Sequence, residues 1–227
     1  MSQAAFRHEF KLAINLSDYF EIRQRLRAVA RYDAHSNPGG WYKIRSLYFD
    51  NIHDKALKEK IDGVNNREKF RIRYYNDDPS FIKLEKKSKI NGLCQKTAAI
   101  ITQEQCSRLL EGDTAWMRES DNGLFVELYA KLQYQQLRPK TIVDYIREPF
   151  TYPAGNVRVT LDRQISSGLF SQNLFDYTLP TVKPDQNAII LEIKYDSFIP
   201  DIINDITQIK NRFPAAFSKY AACRMYG

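Results

Sequence analysis

The chain is poor in cysteine and histidine, with three of each in 227 residues. Cys94, Cys106 and Cys223 are odd in number and form no CxxC pair, which excludes a disulfide framework or a zinc ribbon and fits a reducing cytoplasm. No apolar run approaches the ~20 residues of a membrane span. The opening MSQAAFRHEF has no apolar signal core. Internal repeats, low-complexity tracts and linkers are also missing, so residues 1–227 read as a single domain. What the chain does have is 43% hydrophobic and 13% aromatic residues, enough for a globular core. It also carries 34 Lys and Arg against 27 Asp and Glu, a net charge of +7. That excess calls for an anionic partner such as nucleic acid, polyphosphate, nucleotide or acidic lipid.

Hydrophobic periodicity predicts strands over 6–14, 41–51, 67–76, 80–88, 94–101, 138–148, 156–164 and 187–196. NDDP (76–79) and KING (89–92) supply turn chemistry between them. Helices are expected over 19–31, capped by Ser17 or Asp18, over 102–111, capped by Thr102, and over 121–136. A short helix or turn falls at 53–63, and most of 198–224 reads as helical, with Pro214 and Phe217 placing the last helix. This is an α+β chain rich in antiparallel strands.

The strand faces carry an unusual charge pattern. In EKFRIRYY (68–75), Lys69, Arg71 and Arg73 alternate with Phe70, Ile72 and Tyr74, so the three cations leave one face of a strand. Arg7, Glu9 and Lys11 share a face, as do Lys83, Glu85 and Lys87, Arg158 and Asp162, and Glu192 and Lys194. Polar-out alternation is ordinary on a half-buried sheet. Its repetition with long cations fits better a closed barrel that gathers these faces into a basic lumen and takes a polyanion. Glu192, fixed between Leu191 and Ile193, is either a ligand for a divalent metal bridging phosphates or half of a salt bridge. Aromatics interleaved with cations, as in WYKIRSLYF, are expected outside the barrel under helices. Asp50 is expected to hold a strand end or pair with a lumen cation, and Asp162 and Arg163 to stand behind the lumen or in a simple ion pair.

The ordered series HEFK, SLYFDN, FRIRYY, LEKKSKINGLCQK, RVTLDR, LEIKY and FSKY resembles the polyphosphate polymerase (VTC) domain, one of the triphosphate tunnel metalloenzymes related to the CYTH proteins. The resemblance runs from about residue 7 to 222. It implies an antiparallel β-barrel tunnel with a mainly basic lumen flanked by helices. It also implies phosphate-binding roles for Lys11, Arg71, Arg73, Lys87, Lys96, Arg147, Arg158 and Lys219, with Glu192 as the metal ligand. Of these, Lys11, Arg71, Arg73, Lys87, Arg158 and Glu192 form the expected catalytic set. Lys60 stands where eukaryotic members carry arginine, which keeps the charge but loses the bidentate fork. The hydrolytic CYTH branch begins E-x-E-x-K, whereas this chain reads Arg7-His8-Glu9-Phe10-Lys11, closer to the polymerase branch.

The resemblance therefore implies transfer of the γ-phosphate of ATP to inorganic phosphate or a polyphosphate chain, with Mn²⁺ or Mg²⁺ as cofactor. The scarcity of histidine is no obstacle, because a phosphate nucleophile is already anionic. Rival readings are a triphosphatase or NTP hydrolase on the same tunnel and a non-catalytic polyphosphate or nucleotide binder. A nucleic-acid partner lacks any helix-turn-helix, zinc-finger or RRM signature.

Overall fold

A computed structural model of the chain describes residues 7–209 and 217–225. Nine strands among them join one antiparallel sheet: β1 (His8–Ile14), β2 (Arg31–Tyr32), β3 (Tyr42–Asp50), β4 (Arg67–Tyr75), β5 (Asp78–Ile90), β6 (Leu93–Ile101), β7 (Arg138–Tyr152), β8 (Val157–Ser167) and β9 (Ile189–Tyr195). The order is β1-β9-β8-β7-β3-β4-β5-β6. Strand β7 carries β3 along most of its length and β2 further on, at Phe150–Thr151. The sheet curls until its end strands meet, where Arg7 N donates to the Cys94 carbonyl at 3.3 Å in an isolated bridge. The expected antiparallel β-barrel tunnel with flanking helices is the observed architecture.

Period-two alternation sorts the side chains of this wall. The apolar set faces outward and is covered by helices. Leu47, Phe70, Ile72, Ile82 and Leu84 pack under α3 (Gln103–Leu110), α4 (Ala115–Arg118) and α5 (Gly123–Tyr134) through Cys106, Leu109, Met117, Phe125 and Leu128. On the other flank, Leu12, Val159, Leu161, Leu191 and Ile193 meet Tyr19, Ile22 and Leu26 of α1 (Leu16–Val29) and Ile203 of α6 (Asp201–Thr207). Leu26, Leu84 and Leu128 are completely buried, each stabilising the fold by about 1.5–3 kcal/mol. Two short helices, α2 (Lys55–Ile61) and α7 (Lys219–Arg224), approach one end of the barrel.

The sequence placed the first helix cap too late. Asn15 caps α1, its side-chain oxygen accepting from Asp18 N at 2.8 Å while Asp18 accepts from Asn15 N at 3.1 Å. Asp18 is thus the reciprocal partner of a capping box, three residues in, and Ser17 is already helical. Strand β2 and helix α4, of two and four residues, carry too few positions to show a period. Thr102 caps α3 as expected. Of the helical stretch expected over 198–224, Asp201–Thr207 and Lys219–Arg224 are helical; Pro214 lies outside the described residues.

Candidate functional site

The inward faces of the strands converge on a cavity of about 380 Å³ lined by eleven Lys and Arg side chains and three carboxylates, Glu9, Glu85 and Glu192. A second cavity of about 460 Å³ shares Glu9, Lys11, Lys69 and Lys87 with the first and extends it past Lys60, Arg67 and Lys89. Nine residues expected to act meet in the first cavity: Lys11, Arg71, Arg73, Lys87, Lys96, Arg147, Arg158, Glu192 and Lys219. Lys60, on α2, lines the second.

Each carboxylate gathers several cations. Glu85 on β5 accepts from Arg71 Nε at 2.7 Å and Lys96 Nζ at 3.2 Å, and Arg73 lies 3.7 Å away. Arg71 also donates to the Tyr48 hydroxyl at 2.9 Å, and Arg73 to Ser46 Oγ at 2.9 Å and Tyr145 at 3.0 Å. Glu9 on β1 takes Lys87 at 2.6 Å and Lys11 at 2.9 Å. Glu192 on β9 takes Lys194 at 2.8 Å and Lys11 at 3.4 Å. On the inward face of β8, Asp162 holds Arg147 at 2.6 and 2.7 Å and Lys219 at 2.5 Å. Arg158 reaches the Tyr42 hydroxyl at 2.8 Å and Asp33 at 2.9 Å.

These contacts set the protonation states. Burial opposes ionisation of Glu9, Glu85 and Glu192, yet the surrounding ammonium and guanidinium groups hold all three well below the usual carboxylate range. Lys87 responds in the opposite way: burial, then repulsion from Lys11, lowers it to about 8. Burial would raise the Tyr48 phenol, but Arg71, Lys69 and Arg73 override it and bring it down to about 7. The lumen is a region of strong positive potential, with its few carboxylates locked in the charged form.

Several lumen residues had no assigned role in the sequence reading. Glu9, Lys69, Glu85 and Lys194 line the cavity, on the strand faces that parity had turned towards the lumen. Tyr42, Tyr48, Tyr75 and Tyr145 also line it, which corrects the expectation that such aromatics pack outside the barrel. The hydroxyls of Tyr48, Tyr145 and Tyr42 act as fixed acceptors for Arg71, Arg73 and Arg158 respectively. Tyr74, one residue out of phase, does pack outside, donating to the Leu174 carbonyl at 2.7 Å. Among the described residues Asp50 pairs with no lumen cation. It accepts from the backbone of Asn51 and Ala56 at 2.9 Å and of Leu57 at 3.1 Å, and from Tyr220 at 2.7 Å, so it fastens α2 and α7 to the end of β3.

Among the described residues no group of three or more His, Cys, Asp or Glu converges as a metal cage. Glu9 and Glu192 do converge, both lying within reach of Lys11 and Lys194. Two carboxylates beside a phosphate-sized basic cavity suit a divalent ion that takes one or two protein oxygens and completes its shell with phosphate oxygens and water.

A curled antiparallel barrel around a basic lumen is the triphosphate tunnel architecture. Residues 6–226 match the VTC domain, and the chain belongs to that family. Among solved structures, it is similar to a Hippeastrum adenylyl cyclase candidate with a dominant triphosphatase activity, at 13% identity over 97% of this chain and 96% of that one, with a TM-score of 0.59. It is also similar to an adenylate cyclase candidate of Bacillus halodurans, at 14% identity over 85% and 82% of the two chains, with a TM-score of 0.53. No curated protein matches the sequence. Among the described residues no helix is long and apolar enough to cross a membrane.

Proposed function

We propose that the chain is a metal-dependent polyphosphate polymerase that transfers the γ-phosphate of ATP to inorganic phosphate or to the end of a polyphosphate chain. The observation that carries this reading is the convergence, among the described residues, of eleven cations on a cavity lined by three carboxylates, a surplus suited to a guest with many negative charges. Arg71, Arg73, Arg147 and Arg158 hold non-bridging oxygens with the guanidinium donors their protein partners leave free. Lys11, Lys87, Lys96 and Lys219 supply point charges along the chain's path, and Lys60 meets it in the second cavity. Glu192, with Glu9, would hold Mn²⁺ or Mg²⁺, which would supply positive charge against the phosphate oxygens. The acceptor is already anionic, so the protein's work is alignment and charge stabilisation rather than proton abstraction.

Arg7 supports transfer over hydrolysis. It occupies the place of the first glutamate of the hydrolytic pattern, and its guanidinium is committed to Asp196 at 2.6 Å at the barrel seam. The triphosphatase activity of the similar Hippeastrum protein favours hydrolysis as the second reading. Incubation with γ-labelled ATP, with and without Mn²⁺ or Mg²⁺, separates them on a gel. A metal-dependent polyphosphate ladder with matching ADP supports the polymerase. Free phosphate without a ladder, even with a short polyphosphate primer, supports the hydrolase. Binding of ATP with no turnover identifies a binding module.

A further inference from the structure

Ten of the eleven cations lining the first cavity have a carboxylate within salt-bridge distance. Lys69 has none among the described residues. Its ammonium lies 5.6 Å from the centroid of the Tyr48 ring, and among the described residues its three donors find no acceptor. Across the ladder it stands opposite Lys87. It also lines both cavities, so it sits where they join. Crowded like charges with nothing between them cost free energy. Nearby, the Tyr48 oxygen accepts from Arg71, and an anionic guest seated beside it favours the protonated phenol, whose O–H then donates to that guest.

We propose that Lys69 Nζ and the Tyr48 hydroxyl form a phosphate subsite at this junction, taking the group of a bound chain that follows the one held by Arg71. The subsite rests on the phosphate-tunnel reading and adds to it a position where binding moves a proton. The groups facing Lys69 are Tyr48 on β3, Arg67 and Arg71 on β4, Glu85 and Lys87 on β5, Glu9 and Lys11 on β1, and Lys60 on α2. Burial, then repulsion from Lys87, Lys11 and Arg71, lowers Lys69 to about 7 against the pull of Tyr48. A phosphate group seated there reverses the balance: the amine takes one proton from solvent and becomes an ammonium paired with the anion.

The test is calorimetric titration of the full chain with inorganic tripolyphosphate, just above neutral pH, in two buffers of different ionisation enthalpy. The wild type should take up protons on binding. Lys69→Arg should bind as well with less uptake, and Lys69→Met should bind about ten- to hundredfold more weakly. Without ligand, Lys69→Met should unfold at a higher temperature, because it removes a repelled charge. A lower ligand-free Tm for Lys69→Met would mark a packing role and overturn the subsite. So would tripolyphosphate binding that Arg71→Ala abolishes and Lys69→Met leaves intact. Failure of the wild type to bind tripolyphosphate at all would overturn the tunnel reading, and the subsite with it.

Discussion

Arg147 and Asp162 face each other across β7 and β8 as a two-point fork, Nε to Oδ1 at 2.6 Å and Nη2 to Oδ2 at 2.7 Å. The carboxylate is fully buried, and Lys219 on α7 reaches it from the other side. One acidic side chain thus joins two strands to the C-terminal helix and presents two cations to the lumen. Asp162→Asn leaves both cations without their counter-charge, a loss of about 3–5 kcal/mol for a broken buried pair. Urea unfolding should register it as a lower midpoint with an unchanged slope.

Glu192→Gln keeps the shape of the side chain and removes its charge. The fold should survive, by circular dichroism, while metal-dependent turnover of ATP falls about a hundredfold or more, since even indirect partners of a metal ligand cost 10–100-fold. Metal-dependent activity equal to wild type would remove Glu192 from the metal's shell.

Acid should unfold the protein through its lumen. Glu9, Glu85, Glu192 and Asp162 all titrate below their ordinary range in the folded state. As pH falls, the unfolded chain binds protons first, so these groups stabilise the fold fully above their unfolded pKa values of about 4. That contribution is lost as pH drops towards the folded values. Chemical denaturation midpoints should decline steadily below about pH 4.

The alkaline side carries the same sign for lysine. Lys69 and Lys87 are lowered to about 7 and about 8, so between these values and about 10.4 the unfolded chain again holds more protons. Their contribution makes the ligand-free protein more stable as pH rises through that interval. Thermal unfolding should show the gain, and Lys69→Met should reduce it.

The cysteines offer a chemical readout of the lumen. Burial pushes the Cys106 and Cys223 thiols up to about 12, which leaves them inert, whereas Cys94 is partly exposed and lines both cavities. A thiol reagent should modify one cysteine in the native protein and three after denaturation. Tripolyphosphate should slow the reaction at Cys94.

Much of the lumen was legible because strand parity is a local property. Once Lys69, Arg71 and Arg73 alternate with apolar residues, their shared face follows, and the apolar face must find helices to cover it. The same rule reached Glu9, Glu85 and Lys194 but could not say which cations they hold, because Lys87 meets Glu9 across 78 positions of chain. Asp162 and Lys219 pair only because α7 docks against the barrel, a tertiary event with no periodic trace. The tyrosines were misplaced for a different reason. Aromatic residues usually follow the apolar face, but here the hydroxyls of Tyr48 and Tyr145 have guanidinium partners inside, and polarity at the ring tip decided their side.

Among the described residues a single backbone bridge, Arg7–Cys94, closes the seam, which makes the barrel a split ring. Every other junction along the sheet is a full ladder, while this one is an isolated bridge. A split ring changes its bore by spreading at the gap, with each ladder keeping its register. The bore of this one can therefore adjust to what passes through it at the expense of that backbone hydrogen bond, roughly 0.5–1.5 kcal/mol, and of the Glu9–Lys87 ion pair that spans the same gap.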